Sequence, residues 1–151
     1  MKIINIKNNK KYLKDYFILC SLEWSSKKTK EQLEISADEK VDKVLSNNYD
    51  KLISVLGLIE NNELIGFISL FKYDGNKRND LTPWYATMYV KKEHRKKGYS
   101  KLLNNAILKE AKELGYSKVY LKTDLINYYE KFGAKFKEKL DDKENLYYIE
   151  L

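Results

Sequence analysis

Cysteine, histidine and proline occur once each in these 151 residues. Cys20 alone cannot close an intramolecular disulfide, and a reducing compartment suits such a chain. A single histidine, His94, rules out paired-histidine metal motifs, and Cys20 with His94 is poor material for zinc, so no metal centre is expected. No apolar run approaches the ~18 residues that span a bilayer. The apolar start at Met1–Ile6 is too short for a secretory leader. The expected location is the cytoplasm, with no membrane partner. The six glycines are never two residues apart, so GxGxxG is missing, and no Gly-Lys-Ser or Gly-Lys-Thr marks a P-loop. No serine sits in Gly-x-Ser-x-Gly, and the one histidine lies inside a basic turn, which argues against seryl-hydrolase chemistry.

What is present suits a folded domain. The length predicts one domain over residues 1–151, able to bury about 70% of its unfolded surface without disulfides. Hydrophobic residues reach 43% and aromatics 13%, thirteen of them tyrosines. That is too apolar for a disordered chain. The net charge of +7 invites a polyanion, either nucleic acid or a phosphorylated cofactor. Solvated surface lysines are the alternative.

Read in order, Met1–Ile6 suggests a short strand. Lys11–Trp24 suggests a helix with Tyr12, Tyr16, Leu19 and Cys20 on one side. Ser26 or Thr29 is placed to cap a second helix running to about Ser46. Its apolar set is thin (Leu33, Ile35, Val41, Val44, Leu45), so it reads either as a mobile lid or as an ordinary surface helix. Leu52–Glu60 and Glu63–Tyr73 read as a hairpin across Asn61-Asn62. Residues 74–83 form a polar loop expected at the rim of a cleft. Trp84–Val90 is an aromatic, β-branched strand. Residues 98–114 read as a helix with Gly115 just beyond its end. Ser117–Lys122 is a strand, and Leu125–Phe132 a short helix capped by Thr123 or Asp124 and ended by Gly133. Ala134–Leu140 and Leu146–Leu151 form a terminal hairpin. The order βααβββαβαββ indicates an α/β (α+β) fold, a mixed sheet with helices on its faces. The helix at 98–114 would cross between parallel strands.

The chain is organised around WYATMYVKKEHRKKGYSK, Trp84 to Lys101. A strand feeding a helix through a small-residue turn leaves free N–H groups at the helix start, a ready anion site. Lys91, Lys92, Arg95, Lys96, Lys97 and Lys101 oppose only Glu93, a local charge of +5. The other reading is a basic turn with a glycine needed for its conformation alone.

Val90 to Ser100 resembles the acetyl-CoA-binding motif of the GNAT N-acetyltransferases, Arg or Gln, two residues, Gly, one residue, Gly or Ala. Arg95, Gly98 and Ser100 occupy the pattern, with serine as the small final residue. Tyr129-Glu130-Lys131-Phe132-Gly133 resembles the family's second signature, Tyr-Glu-Lys-x-Gly, in the family's order and at about its spacing. The resemblance covers roughly residues 53–136. It implies a single-domain GNAT-like fold with a mixed, mostly antiparallel sheet, and acetyl-CoA as cosubstrate. It implies that the phosphates meet Arg95, Lys96, Lys97, Gly98, Tyr99, Ser100 and Lys101, while pantetheine pairs with Met88, Tyr89 and Val90 as an added strand would. Tyr129 matches the general acid that protonates the departing thiolate. A packing role for this tyrosine is the alternative, with Tyr128 as the confounding neighbour.

The asparagine often found upstream of that tyrosine has no clean match, and Lys135 interrupts the usual Gly-Phe step. No acid lies within Trp84–Val90, where some relatives place a base, which leaves Asp80, Glu23 or a water chain. The acceptor, an amine of unread identity, is expected against the polar helix at 27–46 and the 74–83 loop. The terminal hairpin offers a surface for a homodimer. Two rival functions stand beside the enzyme. One is a catalytically silent acyl-CoA sensor on the same fold. The other, weaker for want of an RRM, KH or helix-turn-helix pattern, is a basic nucleic-acid-binding module.

Overall fold

The computed structural model describes residues 1–25 and 28–151. Seven strands form one sheet: β1 (Lys2–Asn5), β2 (Leu52–Glu60), β3 (Glu63–Phe71), β4 (Trp84–Val90), β5 (Lys118–Thr123), β6 (Lys135–Lys139) and β7 (Asn145–Glu150). Their order across the sheet is β1-β2-β3-β4-β5-β7-β6. Every neighbouring pair is antiparallel except β4 and β5. Three helices, α1 (Lys10–Trp24), α2 (Lys30–Leu45) and α3 (Tyr99–Glu113), cover its faces.

The apolar runs of β2 and β3 are near-continuous because both faces of these strands are covered. Val55, Ile59, Leu64 and Phe67 join Tyr12, Leu13, Tyr16 and Phe17 of α1 in one core. Leu56, Leu58, Ile65, Ile68 and Leu70 join Leu103, Ile107 and Ala111 of α3 in the other. The β2–β3 turn falls on Asn61 and Asn62, at φ +52° and +61°. Positive φ at both central residues is what a type I′ hairpin turn requires, and asparagine tolerates it.

Thr29 caps α2. Its hydroxyl accepts from the Gln32 amide at 3.1 Å and the Gln32 side chain accepts from the Thr29 amide at 2.9 Å, a reciprocal capping box. The alternative cap, Ser26, lies outside the described residues. The buried positions of α2 are Leu33, Ala37, Val41 and Val44, whereas Ile35 and Leu45 are exposed. The helix therefore rests on the α1 side of the core as a packed surface helix.

The region after β5 differs from the expectation. No helix spans residues 125–132; only a 3-10 turn, Tyr129–Phe132, is formed. The Thr123 hydroxyl accepts from the Leu125 amide at 3.0 Å, a local turn that competes with helix initiation. Leu125 and Ile126 are exposed. Gly133, at φ +90°, ends the turn. The terminal hairpin forms, with β7 inserted between β5 and β6.

The pairing of β4 with β5 positions the site. It is parallel, as the α3 crossover requires, but extends only to Trp84 opposite Tyr120, extended by Tyr120 N–H donating to the Pro83 carbonyl at 2.9 Å. Beyond that point the two central strands share no ladder, and a cleft opens between them.

Candidate active site

Arg95 folds the loop after β4 back onto the strand. Its Nε donates to the Val90 carbonyl at 2.8 Å, and its guanidinium lies 5.7 Å from the Tyr89 ring centroid, within cation–π reach. Lys96 and Gly98 both have positive φ, +64° and +79°, so the chain turns sharply into α3. A side chain is strained at Gly98 for its φ alone, yet a β-carbon there would meet no atom within 4 Å. The space over Gly98 is open, as a cradle for close ligand approach must be. Gly98 is the N-cap and offers no side-chain cap, so the first-turn amides of α3 front this space as donors.

A cavity of about 410 Å³ lies here, walled by Val90, Arg95, Lys96, Gly98, Tyr99, Ser100, Lys101, Tyr128, Lys131 and Phe132. It has four cationic side chains and no acidic one. The sequence cluster is thus divided. Lys91 is paired with Glu63 at 2.7 Å. Lys97, expected among the phosphate ligands, is not among the residues that wall this cavity. Lys131, Phe132 and Tyr128 replace it from the opposite side. Lys131 sits 4.1 Å from the Tyr128 ring centroid. The Lys131 position was visible in the Tyr-Glu-Lys-x-Gly motif, but its role as a wall of the basic groove was not.

A second cavity, about 290 Å³, continues from the first and shares Val90, Arg95, Ser100 and Tyr128 with it. It adds Glu23, Trp24, Met88, Tyr89, Leu125 and Tyr129. A third, about 350 Å³, shares Trp24, Met88 and Tyr129 with the second and adds Asp74, Tyr85, Ala86, Thr87, Leu121, Lys122 and Glu144. The three form one path from a cationic end to an end with two carboxylates and one lysine. Lys122 Nζ stands 4.0 Å from Asp74 Oδ1 and 3.9 Å from Glu144 Oε1. Burial raises the Asp74 carboxyl above its usual range, with Lys122 and then Lys51 pulling the other way.

Tyr129 stands where the second and third cavities meet. Its ring packs edge-on against Tyr85 at 6.1 Å and Tyr128 at 4.8 Å. Burial, then its neighbours Tyr128 and Asp124, raises its phenol above the ordinary value. It is held as the protonated acid at neutral pH. Tyr128 lines the basic end and the middle but not the acidic end, so the two adjacent tyrosines have different posts.

Of the two proposed bases, Glu23 lines the middle cavity. Asp80 is exposed and paired with Arg78 at 3.0 Å, away from all three cavities. The 74–83 loop reaches the acidic end through Asp74, as expected. No residue of α2 does, because its apolar positions are seated on α1. The end of α1, β5 and the β6–β7 turn supply Trp24, Lys122 and Glu144 instead. No local motif marks these residues; they meet only through the sheet order. Among the described residues no cluster of potential metal ligands occurs, and no helix is long and apolar enough to cross a membrane.

The fold is shared with known acetyltransferases. An aminoglycoside 6'-N-acetyltransferase complexed with coenzyme A superposes with a TM-score of 0.72 at 20% identity, over 99% of this chain and 97% of that one. YncA, a putative acetyltransferase from Salmonella typhimurium with acetyl-CoA, gives 0.70 at 15% identity, over 100% and 94%. The PaiA N-acetyltransferase from Thermoplasma acidophilum, in complex with coenzyme A, gives 0.61 at 18%, over 100% of both chains. No curated protein sequence matches the chain. The family model for the acetyltransferase (GNAT) family matches residues 14–134, which takes in most of α1, the basic groove and the Tyr129 turn. The chain belongs to the acetyltransferase (GNAT) family and is an N-acetyltransferase with acetyl-CoA as its cosubstrate.

Proposed function

We propose that the protein acetylates a positively charged amine by direct transfer within a ternary complex. The observation that carries this reading is the charge polarity of the path. Arg95, Lys96, Lys101 and Lys131 line one end, suited to the phosphates of coenzyme A. Asp74 and Glu144 line the other with Lys122 between them, two carboxylates against one lysine, suited to an ammonium group. Tyr129 stands between the two ends.

Bound acetyl-CoA supplies an activated acetyl thioester. The first-turn amides of α3 and the four cations hold its phosphates, and the open space at Gly98 admits close approach. Met88, Tyr89 and Val90 flank the middle cavity, where the pantetheine arm would run beside β4. The acceptor enters at the acidic end as an ammonium. It loses a proton to water or to a carboxylate lining the path, Asp74 at the acidic end or Glu23 in the middle cavity. The free amine nitrogen attacks the acetyl carbonyl carbon, a C–N bond forms and the C–S bond breaks. The electron pair leaves on sulfur, which takes the phenolic proton of Tyr129. With a thiol at ~8.5 and a phenol at or above ~10, that transfer needs good alignment rather than acid strength. The second proton of the acetylated nitrogen passes through water to the Tyr129 phenolate, leaving a neutral amide and the acid restored. Holding both reactants in one path supplies much of the acceleration.

The test is thiol release from acetyl-CoA in the presence of an aminoglycoside, a polyamine, a lysine-containing peptide and a neutral aromatic amine. Release stimulated by cationic amines over the neutral one supports the reading. Coenzyme A binding without release for any amine would favour the sensor alternative and overturn it.

A further inference from the structure

The basic groove and the acidic end meet along β4, and β4 is not a regular strand there. Ser69 of β3 pairs with Ala86, but Phe67 pairs with Tyr89. Ile68 therefore faces two residues, Thr87 and Met88, a β-bulge. Thr87 has φ +53°, a conformation that a β-branched residue rarely adopts. Such strain persists only where surrounding contacts impose it.

Three hydroxyls from three elements converge on this point. Thr87 Oγ1 donates to Ser69 Oγ at 2.5 Å. Ser69 Oγ lies 2.6 Å from Tyr16 Oη of α1. Tyr16 Oη lies 3.5 Å from Thr87 Oγ1, at the edge of bonding distance. Ser69 and Tyr16 are fully buried, so their hydroxyls must find partners within the protein, and this ring supplies them. The order Thr87 to Ser69 to Tyr16 to Thr87 uses each hydroxyl proton once. Thr87 and Met88 line the acidic cavity, and Met88 also lines the middle one.

We propose that the Thr87 hydroxyl is a positioning group. By closing the ring with Ser69 and Tyr16 it holds β4 in its bulged form, and the bulge sets the backbone of residues 87–88 toward the place where acetyl group and amine meet. A bulge leaves its extra residue outside the strand ladder, so those backbone groups stay available to the reactants. The role in turnover rests on the function proposed above; the role in holding the bulge does not.

Three variants separate the contributions. Thr87→Val keeps the branched shape and removes the hydroxyl, Thr87→Ser keeps the hydroxyl, and Thr87→Gly removes both hydroxyl and backbone strain. Three readouts apply: amide hydrogen exchange over residues 85–90, acetyl-CoA affinity by calorimetry, and kcat with the best amine of the panel. Thr87→Val is expected to exchange faster over 85–90 and to lose about 10- to 100-fold in kcat, the scale of an ångström-level misplacement. Its acetyl-CoA affinity should stay within about threefold, because the loss is one of orientation rather than of ground-state binding. Thr87→Ser should restore both exchange and kcat, whereas Thr87→Gly should restore neither. Wild-type exchange in Thr87→Val, or full activity in Thr87→Gly, overturns the proposal. A kcat loss matched by an equal loss of acetyl-CoA affinity also overturns it. A wild type without turnover contradicts the proposed function instead, and hydrogen exchange then decides the ring by itself.

Discussion

Two adjacent tyrosines show how much one position matters. Tyr128 walls the basic groove under Lys131, and Tyr129 reaches the junction with the acidic end. Tyr129→Phe should lower kcat by about 100-fold, the low end for loss of a general acid, while leaving acetyl-CoA affinity unchanged. Tyr128→Phe keeps the ring against Lys131 and should affect neither. Steady-state turnover paired with calorimetry checks both. The motif register selects Tyr129 from the sequence because it is a local pattern of five residues. Arg95, Gly98 and Ser100 were legible for the same reason. Thr87 was not, since nothing in a threonine between Ala86 and Met88 signals positive φ. That conformation is imposed by Ser69 and Tyr16, which lie far away in the chain.

At the level of elements, local chemistry decides the boundaries. The reciprocal cap at Thr29 and Gln32 starts α2, and Thr29→Ala should cost about 1 kcal/mol of stability, measured by urea unfolding. The β6–β7 turn is held by Asp141. Its carboxylate accepts from Lys77 at 2.7 Å and from the amides of Lys143 and Glu144, both at 2.8 Å. The Lys77 bond first, then those amides, hold the carboxyl well below its usual range. A depressed folded-state value means stability that is present above the unfolded pKa of ~3.9 and is lost as pH falls through the folded value. The gap in melting temperature between wild type and Asp141→Asn should therefore be full near neutrality and close in strong acid. A gap independent of pH would contradict this role for the charge. The short helix expected over Leu125–Phe132 shrinks to the turn at Tyr129–Phe132, because the Thr123 hydroxyl takes the Leu125 amide and turns the chain. Continuous apolar runs and helical spacing were otherwise reliable, because β2 and β3 bury both faces and α3 buries one, and their patterns follow from it.

Across the whole molecule, the net charge of +7 is less informative than its distribution. Lysines scattered over the surface coexist with a groove wall that carries four cations and no acid, and the same path ends on Asp74 and Glu144. This polarity belongs to the tertiary structure. Asp74, Lys122 and Glu144 come from two loops and β5, so no spacing in the sequence could bring them together. Acetyl-CoA affinity should weaken as ionic strength rises, since the exposed cations at the groove are screened by salt.

The most direct measurement is a calorimetric titration of acetyl-CoA into wild type and Gly98→Trp, with unfolding of each recorded without ligand. The indole would occupy the open space over Gly98. Binding to wild type, with binding lost in a Gly98→Trp variant that still unfolds cooperatively, is the predicted result. Equal affinity in the two proteins would contradict the account, because the cofactor would then lie away from the turn that Arg95, Gly98 and Ser100 build.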